Sequence, residues 1–247
     1  MSNYDIDQID ALFIAKLILE RLEVAFDPKQ AVLPLNTSTS KTTKTVEEIE
    51  NSWEYRAGTD THSFGRKEKG ETIKLWSVPR KSAQVLRNLV ILTSAKNVVE
   101  VGTSAGYSTL FLADGATQNN GKVTTIELLK EKADLARNFF DQSKLQNISL
   151  VEDEASKALE NWNQGEIDFV FLDADKENYG KYLDLLIPKM KSGALIVADN
   201  INDYGHMMDD YLQRVTGTHL PKSRTDHRVK SYYLAALDNG LMVTKKL

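Results

Sequence analysis

The sequence predicts an α/β fold in which helices cover both faces of a mostly parallel seven-stranded sheet. Three observations predict it. Five near-continuous apolar runs alternate with helical patterns between residues 78 and 247, which is typical of parallel strands buried on both sides. A glycine-containing loop follows the first of these runs. The last two apolar runs of the chain are joined by Asp238-Asn-Gly240, a sequence that favours a hairpin turn and therefore an antiparallel end to the sheet.

The apolar runs and their flanking residues set the expected elements. The parallel strands are predicted at residues 97–101, 122–126, 148–151, 167–172 and 194–198, and the hairpin strands at 231–237 and 241–245. Helices are predicted from about Lys81 to Leu92, from the glycine loop through Leu112, and from beyond Glu127 through Phe140. Strands that alternate with helices in this way form a Rossmann-like, doubly wound sheet.

Composition limits the classes of protein that fit. The 247-residue chain has no cysteine, which excludes disulfides, thiolate nucleophiles and cysteine-based zinc sites. Its formal net charge of -4 gives no general attraction to nucleic acid or to an anionic membrane. The first residues are polar and acidic, unlike a secretory signal, and no apolar run approaches the roughly 18 residues that span a bilayer. We therefore expect a cytoplasmic protein.

Residues 1–75 lack the regular strand-helix alternation of the later residues. They are expected to form an N-terminal helical extension, with the main domain at 76–247. An apolar pattern predicts a helix over residues 6–26, followed by a polar Thr/Ser/Lys loop at 36–45 and a short helix around Trp53. The first helix carries apolar residues on more than one face, more than a lone surface helix needs. We expect it to pack across a two-fold homodimer interface or over the ligand site.

The loop Gly102-Thr-Ser104-Ala-Gly106 permits two interpretations. Its Gly-x-Ser-x-Gly spacing is that of the nucleophile elbow of serine hydrolases, and histidines at 206, 219 and 227 keep the triad order open. The same loop stands where a nucleotide-binding fold places its first glycine turn. Glu127 favours the second interpretation, because an acid at the tip of the second strand can accept hydrogen bonds from both ribose hydroxyls of an adenosine cofactor.

Polar residues also follow the fourth and fifth strands. Asp173 ends one strand, with Lys176 three residues later, and Asp199-Asn200 ends the next. Ligands of open parallel sheets bind outside the carboxyl ends of the strands, so these two strands are expected to be neighbours in the sheet and their side chains to meet there. Two carboxylates and an amide oxygen suit a hard cation, with Mg²⁺ as the first choice and Ca²⁺ or Mn²⁺ as alternatives.

Four segments in this order, VVEVGTSAGYST, TTIELL, FVFLDADKENY and ALIVADN, resemble the cation-dependent class I O-methyltransferases. That family includes the catechol and caffeoyl-CoA O-methyltransferases, and the resemblance covers residues 78–247. It implies that S-adenosylmethionine is the cofactor of the main domain. By the same resemblance, the residues expected to bind the cofactor are Glu100, Gly102, Thr103, Ser104, Tyr107, Ser108, Glu127, Asp153, Ala155 and Asp173.

The resemblance also implies the roles of the remaining candidates. Asp173, Asp199 and Asn200 match the metal ligands of the family, while Lys176 and Asp173 match its catalytic residues. A cation bound to a phenol oxygen lowers the pKa of that oxygen, and Lys176 would accept the proton or hold the oxyanion. The expected reaction is methyl transfer to a metal-bound hydroxyl of a small molecule, catechol-like or of hydroxycinnamoyl type.

Two alternatives stay open at this point. The first is methylation of a hydroxylated tRNA base on the same fold, which the basic stretches at 66–69 and 222–230 keep under consideration although the net charge opposes it. The second is a serine hydrolase that uses Ser104. Residues 28–75 and 201–230 match the family poorly, so the sequence does not identify the acceptor.

Overall fold

The computed structural model of the chain describes residues 10–27, 29–30, 45, 63–64, 73–217, 226–235 and 237–247. The helices are α1 (Ala11–Arg21), α2 (Arg80–Leu92), α3 (Tyr107–Gln118), α4 (Lys130–Ser143), α5 (Ala155–Glu160), α6 (Tyr179–Leu186), α7 (Ile201–Tyr204) and α8 (Asp209–Thr216). The strands are β1 (Ser63–Phe64), β2 (Ile73–Lys74), β3 (Asn97–Val101), β4 (Lys122–Glu127), β5 (Ile148–Glu152), β6 (Ile167–Leu172), β7 (Met190–Ala198), β8 (Val229–Leu234) and β9 (Leu241–Lys246). Short 3₁₀ turns span Lys176–Asn178, Ile187–Lys189 and Gly205–Met207.

The main sheet has seven strands in the order β5-β4-β3-β6-β7-β9-β8. The first five in this order are parallel, whereas β9 pairs antiparallel with both β7 and β8. The chain enters the sheet at β3, builds outward to β5, and then returns to the other side of β3 with β6. The predicted doubly wound fold with a C-terminal hairpin is confirmed, and its switch point lies between β3 and β6.

Each face of the sheet has its own apolar core, because successive side chains of a strand point to opposite faces. On β6, Phe169 and Phe171 belong to the core that also contains residues of α1, α2 and α3. Val170 and Leu172 belong to the opposite core, which residues of α6 and α8 complete. The two cores pack against the strands on either face of the sheet. The strands that carry the loops at the carboxyl edge are therefore held rigidly. Within the described residues, no helix is long and apolar enough to cross a membrane.

Helix α1 shares the first core with the rest of the domain. Its buried face, including Ile14 and Ile18, packs with α2. The expected helix over residues 6–26 is corrected at its end, since α1 stops at Arg21. Glu23 adopts a left-handed backbone (φ 54°), and the N–H of Val24 bonds to the carbonyl of Leu19 at 2.9 Å, which is a Schellman ending without glycine. The dimer or cover role of this helix stays a prediction.

Several other boundaries differ from expectation. Helix α3 continues past Leu112 to Gln118, β7 begins at Met190 rather than Ala194, and β8 ends at Leu234 rather than Leu237. The β6–β7 register shifts where β7 is extended, which a single apolar run does not reveal. The two-residue pair β1–β2 has no counterpart among the predicted strands. The polar loop at 36–45 and the short helix near Trp53 lie outside the described residues, apart from Thr45.

The glycine loop contacts the end of β6 directly. Gly102 has a φ of +99°, and a Cβ built on it would lie 2.2 Å from the carbonyl oxygen of Asp173. Gly106, with a φ of +86°, faces the ring of Phe140 in the same way, at 2.4 Å. The loop therefore needs glycine at both positions, for its backbone conformation and for space.

A buried carboxylate ties β3, β4 and α3 together beneath this loop. Glu100 is fully buried and accepts hydrogen bonds from the hydroxyls of Ser108 (2.6 Å), Thr109 and Thr125 (2.6 Å). The hydroxyl of Thr103 meets that of Thr125, whose own proton is committed to Glu100, so Thr103 is the donor of that pair. Burial raises the pKa of Glu100 to about 7, and the three hydroxyl donors oppose the increase.

We predict that Gly102→Ala destabilises the protein more than Gly165→Ala does. Gly165 has a similar φ of +87°, but a Cβ added there would meet nothing within 4 Å, so this variant isolates the backbone cost. That cost is about 1 kcal/mol, and crowding against Asp173 adds about 1–3 kcal/mol at Gly102. Urea unfolding measures both values. Equal unfolding midpoints for the two variants would contradict the close approach.

We predict a pH-dependent stability difference between the wild type and Glu100→Gln. The folded pKa of Glu100 is raised to about 7 from 4.5, so between these values the native state holds a proton that the unfolded chain releases. The wild type therefore loses stability as pH rises through this window, by up to about 3 kcal/mol relative to the uncharged variant. Urea unfolding of both proteins at pH 5 and pH 8 measures it. A pH-independent difference would refute the raised pKa.

Candidate functional site

One carboxylate at the tip of β4 holds the glycine loop. Glu127 accepts the backbone N–H of Ser104 at Oε2 (2.8 Å) and that of Leu129 at Oε1 (2.9 Å). Ser104 has a left-handed backbone with a φ of 49°, which is uncommon for serine. The acid expected to bind a ribose thus also fixes the loop. Each of its oxygens keeps a second lone pair for a ligand hydroxyl.

The side chain of Ser104 is placed differently from a hydrolase nucleophile. Its Oγ is buried and has no hydrogen-bond partner among the residues that the structure describes. A serine nucleophile needs a base within hydrogen-bond reach, and neither His206 nor His227 supplies one. His219 lies outside the described residues. The serine hydrolase alternative is therefore not favoured.

The other candidates for cofactor binding fall into two groups. Thr103, Tyr107 and Ser108 are buried. Ser108 donates to Glu100, and the ring centroids of Tyr107 and Phe111 are 5.2 Å apart. Asp153 and Ala155 follow β5 on the other side of Glu127 and are partly exposed. A hydrogen bond from Lys157 lowers the pKa of Asp153, which keeps that carboxylate ionised at the rim. All these residues adjoin the loop or the strand tips, and direct cofactor contact stays a prediction for each.

The tips of β6 and β7 bring the predicted metal ligands together. Leu172 and Ala198 are paired neighbours in the parallel ladder, so Asp173 and Asp199 leave the sheet side by side. The Asp173 N–H bonds to Val101 of β3 (2.9 Å), and the Asp199 N–H bonds to Leu172 (3.1 Å). Asn200 occupies the N-cap position of α7 with a left-handed backbone, and its side chain makes no capping hydrogen bond. The expectation that these two strands are neighbours is confirmed.

Lys176 lies between Asp173 and a buried tyrosine. Its Nζ is 2.7 Å from Asp173 Oδ1 and 3.0 Å from the Tyr179 hydroxyl oxygen. The side chains of Lys176 and Asp173 are only 12% and 17% exposed, so their ion pair is largely shielded from water. Tyr179 donates its own proton to the Leu172 carbonyl at 2.9 Å.

The electrostatics of the strand tips fit a divalent cation. Burial raises the pKa of Asp199 to about 8, and the neighbouring charge of Asp173 adds to the increase. Two carboxylates that destabilise each other at a protected strand end are the arrangement that a cation stabilises. The described residues contain no cluster of three or more His, Cys, Asp or Glu side chains that could hold a metal ion, so a cation at these strand tips would need the amide oxygen of Asn200 as a third protein ligand. The donor set consists of oxygen atoms, as Mg²⁺ requires.

Some residues of the site were not identified from the sequence. Thr109 and Thr125 hold Glu100, and Tyr179 contacts Lys176. The Lys176–Tyr179 spacing of three residues is the only local signal for the last contact, because it places both side chains on one side of a 3₁₀ turn. Thr125 gave no signal, since its partner is 25 residues away on another strand.

Solved structures share this fold at low sequence identity. The chain matches an O-methyltransferase from Bacillus cereus, solved in complex with SAH, with a TM-score of 0.64 and 21% identity over 85% of this chain and 91% of that one. It also matches the O-methyltransferase TomG from Streptomyces achromogenes, solved with SAM, with a TM-score of 0.62 and 17% identity over 98% of this chain and 99% of that one.

Curated relatives are more similar in sequence over shorter segments. A catechol O-methyltransferase from Niastella koreensis is 35% identical over 140 residues, which cover 54% of this chain and 62% of that protein. Caffeoyl-CoA O-methyltransferase 1 from Eucalyptus globulus is 35% identical over 133 residues, 51% of this chain and 54% of that protein. The chain thus spans less than two thirds of the length of these relatives.

A family model described as O-methyltransferase matches residues 63–247, which is well over half of the chain. This match includes the glycine loop, Glu127 and both strand tips that carry the candidate metal ligands. The chain belongs to the O-methyltransferase family.

Proposed function

We propose that the protein transfers a methyl group from S-adenosylmethionine to a hydroxyl of a small acceptor, catechol-like or of hydroxycinnamoyl type, with the help of a divalent cation. The observation that carries the proposal is the convergence at one sheet edge of a glycine loop bound to Glu127 and an Asp173–Lys176–Asp199 cluster. Family membership supports the reaction type. The acceptor class follows the names of the catechol and caffeoyl-CoA relatives.

The cofactor would bind along the switch point of the sheet. Glu127 would accept the ribose hydroxyls with its free lone pairs, and Asp153 and Ala155 would lie on the adenine side. Because Gly102 and Gly106 have no side chains, the backbone of this loop could approach the methionine part of the cofactor closely. Ser104 Oγ, buried without a partner in the described residues, is a hydrogen-bonding group that this ligand would satisfy.

The acceptor would bind at the tips of β6 and β7. Asp173, Asp199 and Asn200 would hold the cation, which when bound lowers the pKa of the acceptor hydroxyl and orients it. Lys176, whose ammonium pairs with Asp173, would hold the oxyanion that remains once the acceptor hydroxyl has lost its proton to solvent. An acceptor oxygen held at these two strand tips would lie close to the sulfonium methyl, and holding the two reactants in alignment would supply much of the rate enhancement.

The alternatives receive less support. The basic stretch at 66–69 and residues 222–225 of the second stretch lie outside the described residues. In the described part of the second stretch, Arg228 and Lys230 form ion pairs with Asp226 and Glu23. The described part of the second stretch, in which both cations are paired, therefore lends no support to a tRNA acceptor. Dimerisation through α1 remains part of the proposal, and light scattering of the full chain would measure it.

We predict methyl transfer to at least one catechol or hydroxycinnamoyl thioester, loss of turnover in EDTA, and recovery with Mg²⁺. Asp199→Asn should abolish turnover while leaving S-adenosylmethionine affinity within about twofold, because the amide lacks the charge that holds a hydrated cation. The same variant should unfold at no lower urea concentration than the wild type, since it removes a carboxylate that burial and Asp173 disfavour. Radiolabelled methyl transfer, calorimetry and urea unfolding measure these effects.

Asp168→Asn is the matched control for that variant. Asp168 lies at the amino end of β6, the strand that Asp173 follows, and it accepts the backbone N–H groups of Lys96 and Asn97. Its loss should change stability without changing metal dependence. Full turnover after verified metal removal would overturn the cation mechanism, and methylation of tRNA alone would replace the proposed acceptor.

We predict that Glu127→Ala weakens S-adenosylmethionine binding by roughly 1.5–3 kcal/mol, the scale of hydrogen bonds to a charged group. Glu127 also fixes the loop, so affinity alone does not isolate the ribose contact. A 2′,3′-dideoxy analogue of S-adenosylhomocysteine isolates the ribose contact. The wild type should bind this analogue more weakly than S-adenosylhomocysteine, whereas the variant should bind both equally. Calorimetry measures all four affinities.

Glu152→Ala is the matched control for Glu127→Ala. Glu152 is paired with Glu127 across β4 and β5 but forms a surface ion pair with Arg137 at 2.8 Å. Its removal takes away the same charge from the neighbouring strand tip without touching the loop. If the Glu127 variant keeps the preference for the complete diol, the ribose contact is made elsewhere.

A further inference from the structure

We propose that Tyr179 is the positioning residue of the site and that its hydroxyl oxygen fixes the direction of the Lys176 ammonium toward the acceptor. This inference rests on the proposed function, because it assigns Lys176 its place in methyl transfer. The chain of contacts that carries it runs from the end of β6 through the Tyr179 hydroxyl to Lys176 Nζ and on to Asp173.

The hydrogen-bond polarity of Tyr179 is fixed by its surroundings. A phenol has one proton, and the 2.9 Å contact with the Leu172 carbonyl uses it, because a carbonyl only accepts. Toward Lys176 at 3.0 Å, the oxygen can therefore only accept. An ammonium group can only donate, so this hydrogen bond runs from Lys176 Nζ to the Tyr179 oxygen.

The tyrosine is a rigid support for this contact. Its side chain is fully buried, and its ring meets that of Tyr211 edge to face, with centroids 5.7 Å apart and planes at 89°. Aromatic pairs of this geometry are favourable, and a packed ring does not change its rotamer freely. Lysine has a flexible four-carbon stem, so a fixed acceptor is what holds its Nζ at one point.

The remaining donor of Lys176 follows from these contacts. One N–H is used by Asp173 at 2.7 Å and one by Tyr179, and no third polar partner is present among the described residues. Two fixed bonds determine the direction of the third around a tetrahedral nitrogen. In the proposal, this third N–H donates to the acceptor oxygen at the tips of β6 and β7. Tyr179 thus acts through Lys176 and does not itself touch the acceptor.

The test is a double-variant cycle in the full chain with a catechol as acceptor and Mg²⁺ present. Tyr179→Phe keeps the ring and removes only the oxygen. It should lower kcat by roughly tenfold or more, the scale of a slightly misplaced catalytic group, with little change in the KM for S-adenosylmethionine. In the Lys176→Met background the same change should have no further effect, because the group that Tyr179 positions is gone.

Tyr211→Phe is the matched control. It removes an equally buried hydroxyl, 3.4 Å from that of Thr244, and does not touch Lys176. It should leave kcat within about twofold and should cost the same in both backgrounds. A loss from Tyr179→Phe that is equal with and without Lys176, or no loss at all, would overturn the proposal and leave Tyr179 as a core residue.

Crystal structures of the wild type and Tyr179→Phe test the positioning role independently of activity. The Lys176 side chain should leave its position beside Asp173 or become disordered in Tyr179→Phe, and should keep that position in Tyr211→Phe. An unchanged Lys176 in Tyr179→Phe would refute the positioning role even if methyl transfer is confirmed. A displaced Lys176 in a protein without methyltransferase activity would support the positioning role and refute the proposed function.

Discussion

Backbone contact between the glycine loop and the end of β6 is the constraint on which the site depends. Because Gly102 has no Cβ, the carbonyl oxygen of Asp173 can lie only 2.2 Å from the point where the Cβ of any other residue would be. The loop is then close enough to β4 for the Ser104 N–H to reach Glu127. The switch point of the sheet thus joins the proposed cofactor half of the site to the proposed acceptor half, and one methyl group at Gly102 would separate them.

The same convergence crowds acids into a protected space. Glu100 and Asp199 both have pKa values raised by burial, and the charge of Asp173 raises each further. Three hydroxyls oppose the shift at Glu100, and at the strand tips the Lys176 ammonium pairs with Asp173. A fold selected for stability alone would not gather carboxylates in this way. Strongly shifted groups of this kind are typical of functional sites, because binding or catalysis requires the unfavourable charge.

Much of this architecture was predictable because it depends on local pattern. The strands β3 and β6 begin and end where their apolar runs do, since both are buried on both faces. Asp173, Asp199 and Asn200 follow strand ends, and strand ends of a parallel sheet meet at one edge. The end of α1 was not predictable, because its Schellman turn uses Glu23 in a conformation that normally signals glycine. The Thr125–Glu100 contact was equally hidden, since it joins two strands that only the sheet order makes neighbours.

A backbone contact of Ser104, more than its side chain, distinguishes the two interpretations of the Gly-x-Ser-x-Gly loop. The left-handed conformation of Ser104 would suit a strained nucleophile, and no local pattern separates that use from a cofactor loop. Here the Ser104 N–H is bound by Glu127, an acid 23 residues further along the chain, and its Oγ is buried. The hydrogen bond between the Ser104 N–H and Glu127 orders the loop and the carboxylate in advance, which lowers the conformational cost of binding a ligand. The acid retains one acceptor position on each oxygen, so in the proposed function two neighbouring hydroxyls would bind there while Glu127 keeps its bonds to the loop.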